Sequence, residues 1–366
     1  MDEVETVVIG AGVVGRAAAQ ALAATGREVL LLEAADAFGT ETSARNSEVV
    51  HAGIYYPKDS LKAKLCVEGR RRLYEWCRAH GIEARKCGKL IVAATEDEVE
   101  TLGGILAKAR ANGVEGMSAL TAHEAVAREP ALACAGALWS PETGVVDSHG
   151  LMLSYLGAAE EAGAMLALNA PVEAFEAEAP GFRLTIGGDA PMALRAREVV
   201  NSAGHSAPGL HGGVAAPVRQ WLAKGSYFSL EGASPFRTLI YPAPVVGGLG
   251  VHLTLDMAGR AKFGPDVEWV DEIDYSMDPA RADGFYEAIR RYWPGLPDGA
   301  LAPDYAGVRP KLAGPEDGGS ADFVVAGAET HGIDGYVALM GIESPGLTAS
   351  LALADLVVER LERAAR

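Results

Sequence analysis

Basic residues are under-represented in this chain: 32 Lys and Arg stand against 49 Asp and Glu, a formal charge of −17 over 366 residues. That deficit argues against a nucleic-acid partner, which needs a basic face to meet phosphates. It also disfavours tight attachment to an anionic membrane surface. Cysteine is scarce as well. Cys66, Cys77, Cys87 and Cys134 show no C-x-x-C spacing and no neighbouring histidine cluster, so no metal site is expected. Dispersed thiols in a chain of this size point to a reducing compartment. No apolar run approaches the length that crosses a bilayer. Glu3 and Glu5 stand where a signal peptide needs apolar residues. Internal repeats, low-complexity segments and charge blocks are also missing. What these absences leave is an acidic cytoplasmic protein, with peripheral association with the inner membrane as the variant. The length predicts two domains or one large α/β unit rather than one simple core.

What is present begins with VETVVIGAGVVGRAAAQALAATGREVLLLE, residues 4–33. Val7, Val8 and Ile9 form a β-branched run ending at Gly10, and Gly12 and Gly15 complete G-x-G-x-x-G. A helix of small residues is predicted to about Ala24, and a second apolar strand over 28–32. Gly10 allows the tight turn, Gly12 lets a pyrophosphate approach the backbone, and Gly15 brings the helix close to the sheet. The helix start then offers N–H groups and a positive dipole end to the phosphates. Glu33 ends the second strand, where a carboxylate can accept hydrogen bonds from a ribose hydroxyl. Strand, turn, helix, strand and acid fall in order, which makes this a dinucleotide fingerprint rather than an ordinary glycine turn.

Further along, Ser60 is expected to cap a helix to about Arg78, and residues 88–94 (GKLIVAA) read as a strand. Helices are expected over 97–112, 121–130 and 150–161, and several strands over 164–201. Alternating residues over 217–263 predict antiparallel strands. Asp278 can cap a helix that puts Phe285, Ile289, Tyr292 and Trp293 on one face. A strand at 334–340, the turn GIESPG and a helix over 345–362 close the chain, with Ser344 as cap and Pro345 in the first turn. The expected architecture is α/β. A Rossmann-like domain visited several times by the chain (1–85, 145–215 and 318–366) is interrupted by an α+β substrate domain with a largely antiparallel sheet (86–144 and 216–317).

A nicotinamide cofactor would use mostly the first half of a doubly wound sheet, whereas the longer FAD needs more of the chain around it. Two later glycine turns supply that extra surface: NSAG at 201–204 and GIESPGLT at 341–348. Free N–H groups at Gly346, Leu347 and Thr348 are expected to face a flavin carbonyl that gains charge on reduction. The glycine turns together therefore point to FAD.

VVIGAGVVG, Glu33, SARNSEVVHAGIYYPKDSLKAKLCVEG, NSAG, GVHLT (250–254), GVRPKL (307–312) and SPGLT (344–348) follow one another along nearly the whole chain. In this the sequence resembles FAD-dependent oxidoreductases of the D-amino-acid-oxidase superfamily, most of all the L-2-hydroxyglutarate dehydrogenase/oxidase group. Glu48 departs from that group, which usually has glycine there. The resemblance implies FAD contacts from Gly10, Gly12, Val14, Gly15, Glu33 and Ala34. It also implies Arg45, Asn46 and Ser47 near the pyrophosphate and ring, Val172 at the adenine, and Ser202, Ala203 and Gly204 beside the cofactor. Gly341, Gly346, Leu347 and Thr348 complete the expected cofactor set, with FAD held non-covalently. A covalent flavin link at a histidine in the His51 region, known in some superfamily members, is the variant.

His51 reads either as a base or ring contact at the reacting face, or as a histidine anchoring its loop. His252 in GVHLT is a strand histidine by pattern, and the resemblance makes it the preferred proton acceptor. Arg309 fits a carboxylate clamp, since its planar fork can meet both oxygens. Lys311 and Lys224 are candidates for a second carboxylate, although solvated surface charge is the commoner role of a lysine. Tyr55, Tyr241 and Tyr227 are candidates to line the cavity, and Tyr56 reads as packing. The expected activity is FAD-dependent oxidation of a small L-2-hydroxy acid, L-2-hydroxyglutarate-like, to the 2-oxo acid by hydride transfer to flavin N5. An amine or amino-acid oxidase of the same superfamily is the alternative enzyme, and a non-catalytic flavin-binding protein the alternative of another class. The expected partners are a small anionic carboxylic acid and an electron acceptor: oxygen, a quinone or an electron-transfer protein.

Overall fold

The structure is a computed structural model that describes residues 2–244 and 250–364. Residues 245–249, inside the stretch where antiparallel strands are expected, lie outside the described residues. The chain forms two compact units, one of Met1–Ala44, Ser148–Leu222 and Arg309–Arg366, the other of Arg45–Asp147 and Ala223–Val308.

In the first unit the strand Asp2–Ile9 lies between Met192–Asn201 and Val29–Leu32 and runs parallel to both. Met165–Ala167 extends the parallel set beyond Val29–Leu32, and Tyr336–Met340 extends it beyond Met192–Asn201. Val7, Val8 and Ile9 are buried on both faces, which is why this strand reads as an unbroken β-branched run instead of an alternating one. The hairpin of Val172–Ala177 and Phe182–Ile186 adds two antiparallel strands against the beginning of Met192–Asn201. The helix Val13–Ala23 packs against Ser148–Glu161 and Gly346–Ala364. Its fully buried Ala17, Ala18 and Ala19 allow close approach.

The second unit holds a nine-stranded sheet, largely antiparallel, in which Leu239–Pro242 pairs parallel with Lys89–Ala93. A three-stranded sheet joins Val49–Val50 and Ala84–Arg85 to Gly144–Val146. The helix Leu61–His80 begins as expected, with the Ser60 hydroxyl accepting the Ala63 N–H at 3.1 Å.

Three expectations change. Residues 45–85, assigned by sequence to the Rossmann-like domain, pack in the second unit. Both of their short strands pair with Gly144–Val146, and Val67 packs in one cluster with Ile91, Ala93 and Leu102. Conversely, residues 309–317 belong to the first unit, which moves Arg309 and Lys311 out of the expected substrate segment. The helix expected after Asp278 is split: Asp278 caps a short 3₁₀ turn, Pro279–Arg281, and Ala282–Arg290 follows. Tyr292 and Trp293 fall in the next turn but stay in the same core as Phe285 and Ile289.

Candidate active site

The turn after Ile9 is built almost entirely from backbone. Gly10 has φ +93°, and its N–H donates to the Leu32 carbonyl at 2.7 Å. A Cβ on Gly15 would sit 1.9 Å from the Gly10 carbonyl oxygen, so only glycine lets the helix start this close to the strand. Ser202 braces the turn from the neighbouring strand, its N–H and hydroxyl both donating to the Ile9 carbonyl at 3.0 and 2.7 Å. Ala203 donates to the Asn201 side chain, and Gly204 opens the turn Gly204–Ser206. Gly12 caps the helix without a side-chain bond, and the Ser43 hydroxyl accepts the Val13 N–H at 3.0 Å. Val14 is buried within the first helical turn.

Glu33 is pinned by two backbone donors, Ala11 N–H at 2.8 Å and Ala35 N–H at 3.0 Å. Ala34 between them is exposed, and Val172 begins its strand at an irregular register. Arg16 was passed over in the sequence. It is fully buried, its guanidinium lies 3.2 Å from the Phe38 ring centroid, and its three side-chain nitrogens have no hydrogen-bond partner among the described residues. Burial lowers its proton affinity to about 10. The visible signal was a lone cation in an otherwise small and apolar helix.

The turn before the last helix corrects another expectation. The Gly346 N–H is not free: it donates to the Glu343 carbonyl at 2.6 Å, and Glu343 N–H donates to the Gly341 carbonyl. The turn consumes its own donors, since Gly341, with φ +66°, folds the chain back on itself. Ala349 N–H donates to the Pro345 carbonyl, and the Leu347 N–H meets no acceptor among the described residues. Thr348 is fully buried at the same helix start.

In the second unit Arg45, Asn46 and Ser47 are tied to neighbouring strands. The Arg45 guanidinium donates to the Ala306 carbonyl at 3.3 Å and lies over Tyr275. Tyr305 donates to the Asn46 carbonyl at 2.6 Å. The Ser47 hydroxyl is 3.2 Å from that of Tyr227, which stacks on Tyr305. Glu48 has φ +57°, the left-handed region that favours glycine, so a glycine at this position would have a conformational reason.

Four segments far apart in sequence meet beyond this loop. The His252 and Tyr241 rings stack at 3.6 Å and 6°. Lys89 Nζ lies 4.4 Å from the Tyr241 ring centroid and 5.0 Å from that of Tyr55. Cys66 donates to the His51 carbonyl at 3.4 Å. Burial, and then the Lys89 charge, hold the His51 imidazole down to about 3, so the ring is neutral near pH 7. Burial pushes the Tyr55 phenol up and the Cys66 thiol up to about 12, and it lowers Lys89 to about 7. Sequence reasoning named His51, Tyr55, Tyr241 and His252 but missed Lys89. A lysine just after Gly88 in GKLIVAA, heading the strand Lys89–Ala93 whose five residues are all buried, was the available sign.

The lysines chosen for a second carboxylate are already engaged: Lys311 with Glu343 at 2.8 Å and Lys224 with Asp274 at 2.6 Å. Arg309 is half-buried at the end of the strand Leu301–Lys311. The Tyr56 carbonyl accepts the Asn112 side-chain amide at 2.9 Å. No group of three or more metal-ligating side chains occurs among the described residues.

A glycine turn opening a parallel sheet in one unit, and in the other half-buried His51, Tyr55 and His252 around buried Tyr241 and Lys89, are the features of a dinucleotide-dependent oxidoreductase. The sequence matches the FAD dependent oxidoreductase family over residues 5–360, and the chain belongs to that family. It is 44% identical to a mitochondrial L-2-hydroxyglutarate dehydrogenase of Arabidopsis thaliana, over 99% of this chain and 84% of that protein. The fold is similar to L-alpha-glycerophosphate oxidase from Mycoplasma pneumoniae, with TM-score 0.88, 24% identity, and 99% and 95% of the two chains covered. Glycine oxidase from Geobacillus kaustophilus is similar too, with TM-score 0.82, 21% identity, and the same coverage. Hydroxyl and amine oxidases thus share this fold, so the fold alone does not choose the bond oxidised.

The first unit fits FAD. Cβ atoms at Gly10 and Gly15 would collide with the backbone of Ser202 and Gly10 that shapes the turn, the helix beyond it presents its N-terminal end, and the buried Arg16 cation, with no hydrogen-bond partner among the described residues, lies in the first helical turn.

Proposed function

We propose that the chain oxidises a small L-2-hydroxy acid of the L-2-hydroxyglutarate type to the 2-oxo acid. The observation that carries this reading is the identity with the plant dehydrogenase along almost the whole chain. FAD, when bound, supplies the acceptor for the hydride leaving the substrate Cα. The first unit holds it without a covalent bond, through the 10–15 turn, Glu33, Ala34, Val172, 202–204 and the 341–348 turn. Arg45, Asn46 and Ser47 are the remaining residues of the proposed cofactor set.

Arg309 holds the carboxylate beside the reacting carbon with its planar fork. A hydroxyl does not lose its proton unaided near neutral pH, so a base must take it. A histidine held down to about 3 is a reluctant acceptor, which counts against His51, and His252 takes the role of base in this reading. His51 then acts as a neutral contact, and Tyr55 and Tyr241 wall the site. Four cysteines outside any disulfide support a reducing compartment, the cytoplasm in this reading, and cell fractionation tests it.

Anaerobic mixing with L-2-hydroxyglutarate, L-malate, glycine and sarcosine is the decisive experiment. Bleaching of the flavin by the hydroxy acids alone is expected. Bleaching only by the amines would replace the proposal with an amine oxidase, and bound FAD that none of them reduces would indicate a non-catalytic flavoprotein. Reoxidation by oxygen, a quinone and an electron-transfer flavoprotein then ranks the acceptors.

A further inference from the structure

Lys89 is 1% exposed at the head of a strand buried along its whole length. Its register explains where the ammonium goes. Lys89 pairs with Leu239 and Ile91 with Tyr241 in the parallel ladder, so Lys89 and Tyr241 share one sheet face. The ammonium is flanked by the Tyr241 and Tyr55 rings, and among the described residues no carboxylate pairs with it. Lys224 and Lys311, by contrast, each have one.

A buried ammonium with only ring faces for company is costly, because two cation–π contacts do not replace its hydration. Methionine or leucine would fill the same space without that penalty. A lysine kept at such a position calls for an anion that arrives from outside and favours its charged form, and His51, Tyr241 and His252 place the arrival point in the cluster described above. A 2-hydroxy acid brings one carboxylate beside the reacting carbon; a second anionic group at its far end is the feature a lysine here can read.

We propose that Lys89 is the specificity residue of this site, its ammonium receiving the second carboxylate of a dicarboxylic 2-hydroxy acid between Tyr55 and Tyr241. This rests on the hydroxy-acid reading and adds the residue that selects among hydroxy acids. Lys89 is not the proton acceptor in this scheme.

The test compares wild type with Lys89→Met, both as FAD holoenzymes, in two measurements. The first is anaerobic flavin reduction by L-2-hydroxyglutarate and by L-2-hydroxypentanoate, a chain-matched acid lacking the distal carboxylate. The second is calorimetric binding of the unreactive pair glutarate and pentanoate. Wild type is expected to prefer the dicarboxylate in each pair. In Lys89→Met the dicarboxylates should weaken by about 100-fold, as truncation of one partner of a buried charge pair does, while the monocarboxylates stay within about threefold. Equal losses for both classes, or no loss for either, overturns the proposal. If the variant fails to retain FAD, the wild type decides alone: glutarate binding no tighter than pentanoate overturns it, and a clear preference supports it. Should neither hydroxy acid reduce the wild-type flavin, the oxidation reading fails, yet the glutarate and pentanoate comparison still judges Lys89.

Discussion

The glycine turn of the first unit and the Lys89 cluster of the second are built on opposite plans. The turn is mostly backbone: its three glycines fall within six residues, and its main-chain groups are braced by three side chains, Ser202, Glu33 and Ser43. The cluster is side chain: His51, Tyr55, Cys66, Lys89, Tyr241 and His252 come from segments up to 201 residues apart, and no spacing links them. A backbone site tolerates many side chains around it but no added Cβ inside it. A side-chain site should behave the other way round, keeping its fold while losing its chemistry.

The sharpest way to break that contrast is Gly15→Ala. With the new Cβ 1.9 Å from the Gly10 oxygen, the variant should lose about 3 kcal/mol or more of stability and purify without FAD, as read by denaturation and visible absorbance. A variant that keeps its flavin and its midpoint would show the turn to be plastic. His252→Ala comes next. Flavin content and midpoint should hold while the rate of flavin reduction by L-2-hydroxyglutarate falls by about 10²–10⁴, and an undiminished rate removes His252 as the base.

A smaller effect follows pH. Lys89 loses its charge as pH rises through about 7, so glutarate should bind best below that value and weaken by about tenfold per unit above it. The groups facing it hold steady: His51 stays neutral, the Cys66 thiol stays protonated, and burial keeps Tyr55 and Tyr241 as phenols. Repeating the titration in His252→Ala removes the ring stacked on Tyr241 as a variable. A flat profile in wild type would detach Lys89 from the ligand. The smallest effect belongs to Glu48→Gly. Relief of the left-handed backbone is worth about 1–2 kcal/mol and the added chain freedom costs about 0.5–1, so urea denaturation should show a gain between about zero and about 1.5 kcal/mol.

These two plans also explain what could be read in advance. The strand, turn and helix over 2–23 and the Ser60 cap are local, written in residues three or four apart, and the structure has them where the pattern predicts. Residues 45–85 were misassigned because their partners are Gly144–Val146 and Ile91, which no local pattern reveals. The Gly346 N–H was misjudged because a glycine-rich turn can use its own donors, and only coordinates show the Glu343 carbonyl in the way. Lys89 went unnoticed because one cation before an apolar strand looks like an edge residue until its register against Leu239 is known.

The packing of Gly346–Ala364 on Val13–Ala23 has a further consequence, for the order in which a ribosome delivers the parts. The strand Asp2–Ile9 is synthesised early, yet its neighbour Met192–Asn201 emerges about 190 residues later, and the helix that covers its turn later still. Throughout that interval an apolar, β-branched strand has an open edge, the arrangement most prone to pair with another nascent chain. The region most legible in the sequence is thus among the last to be completed during synthesis.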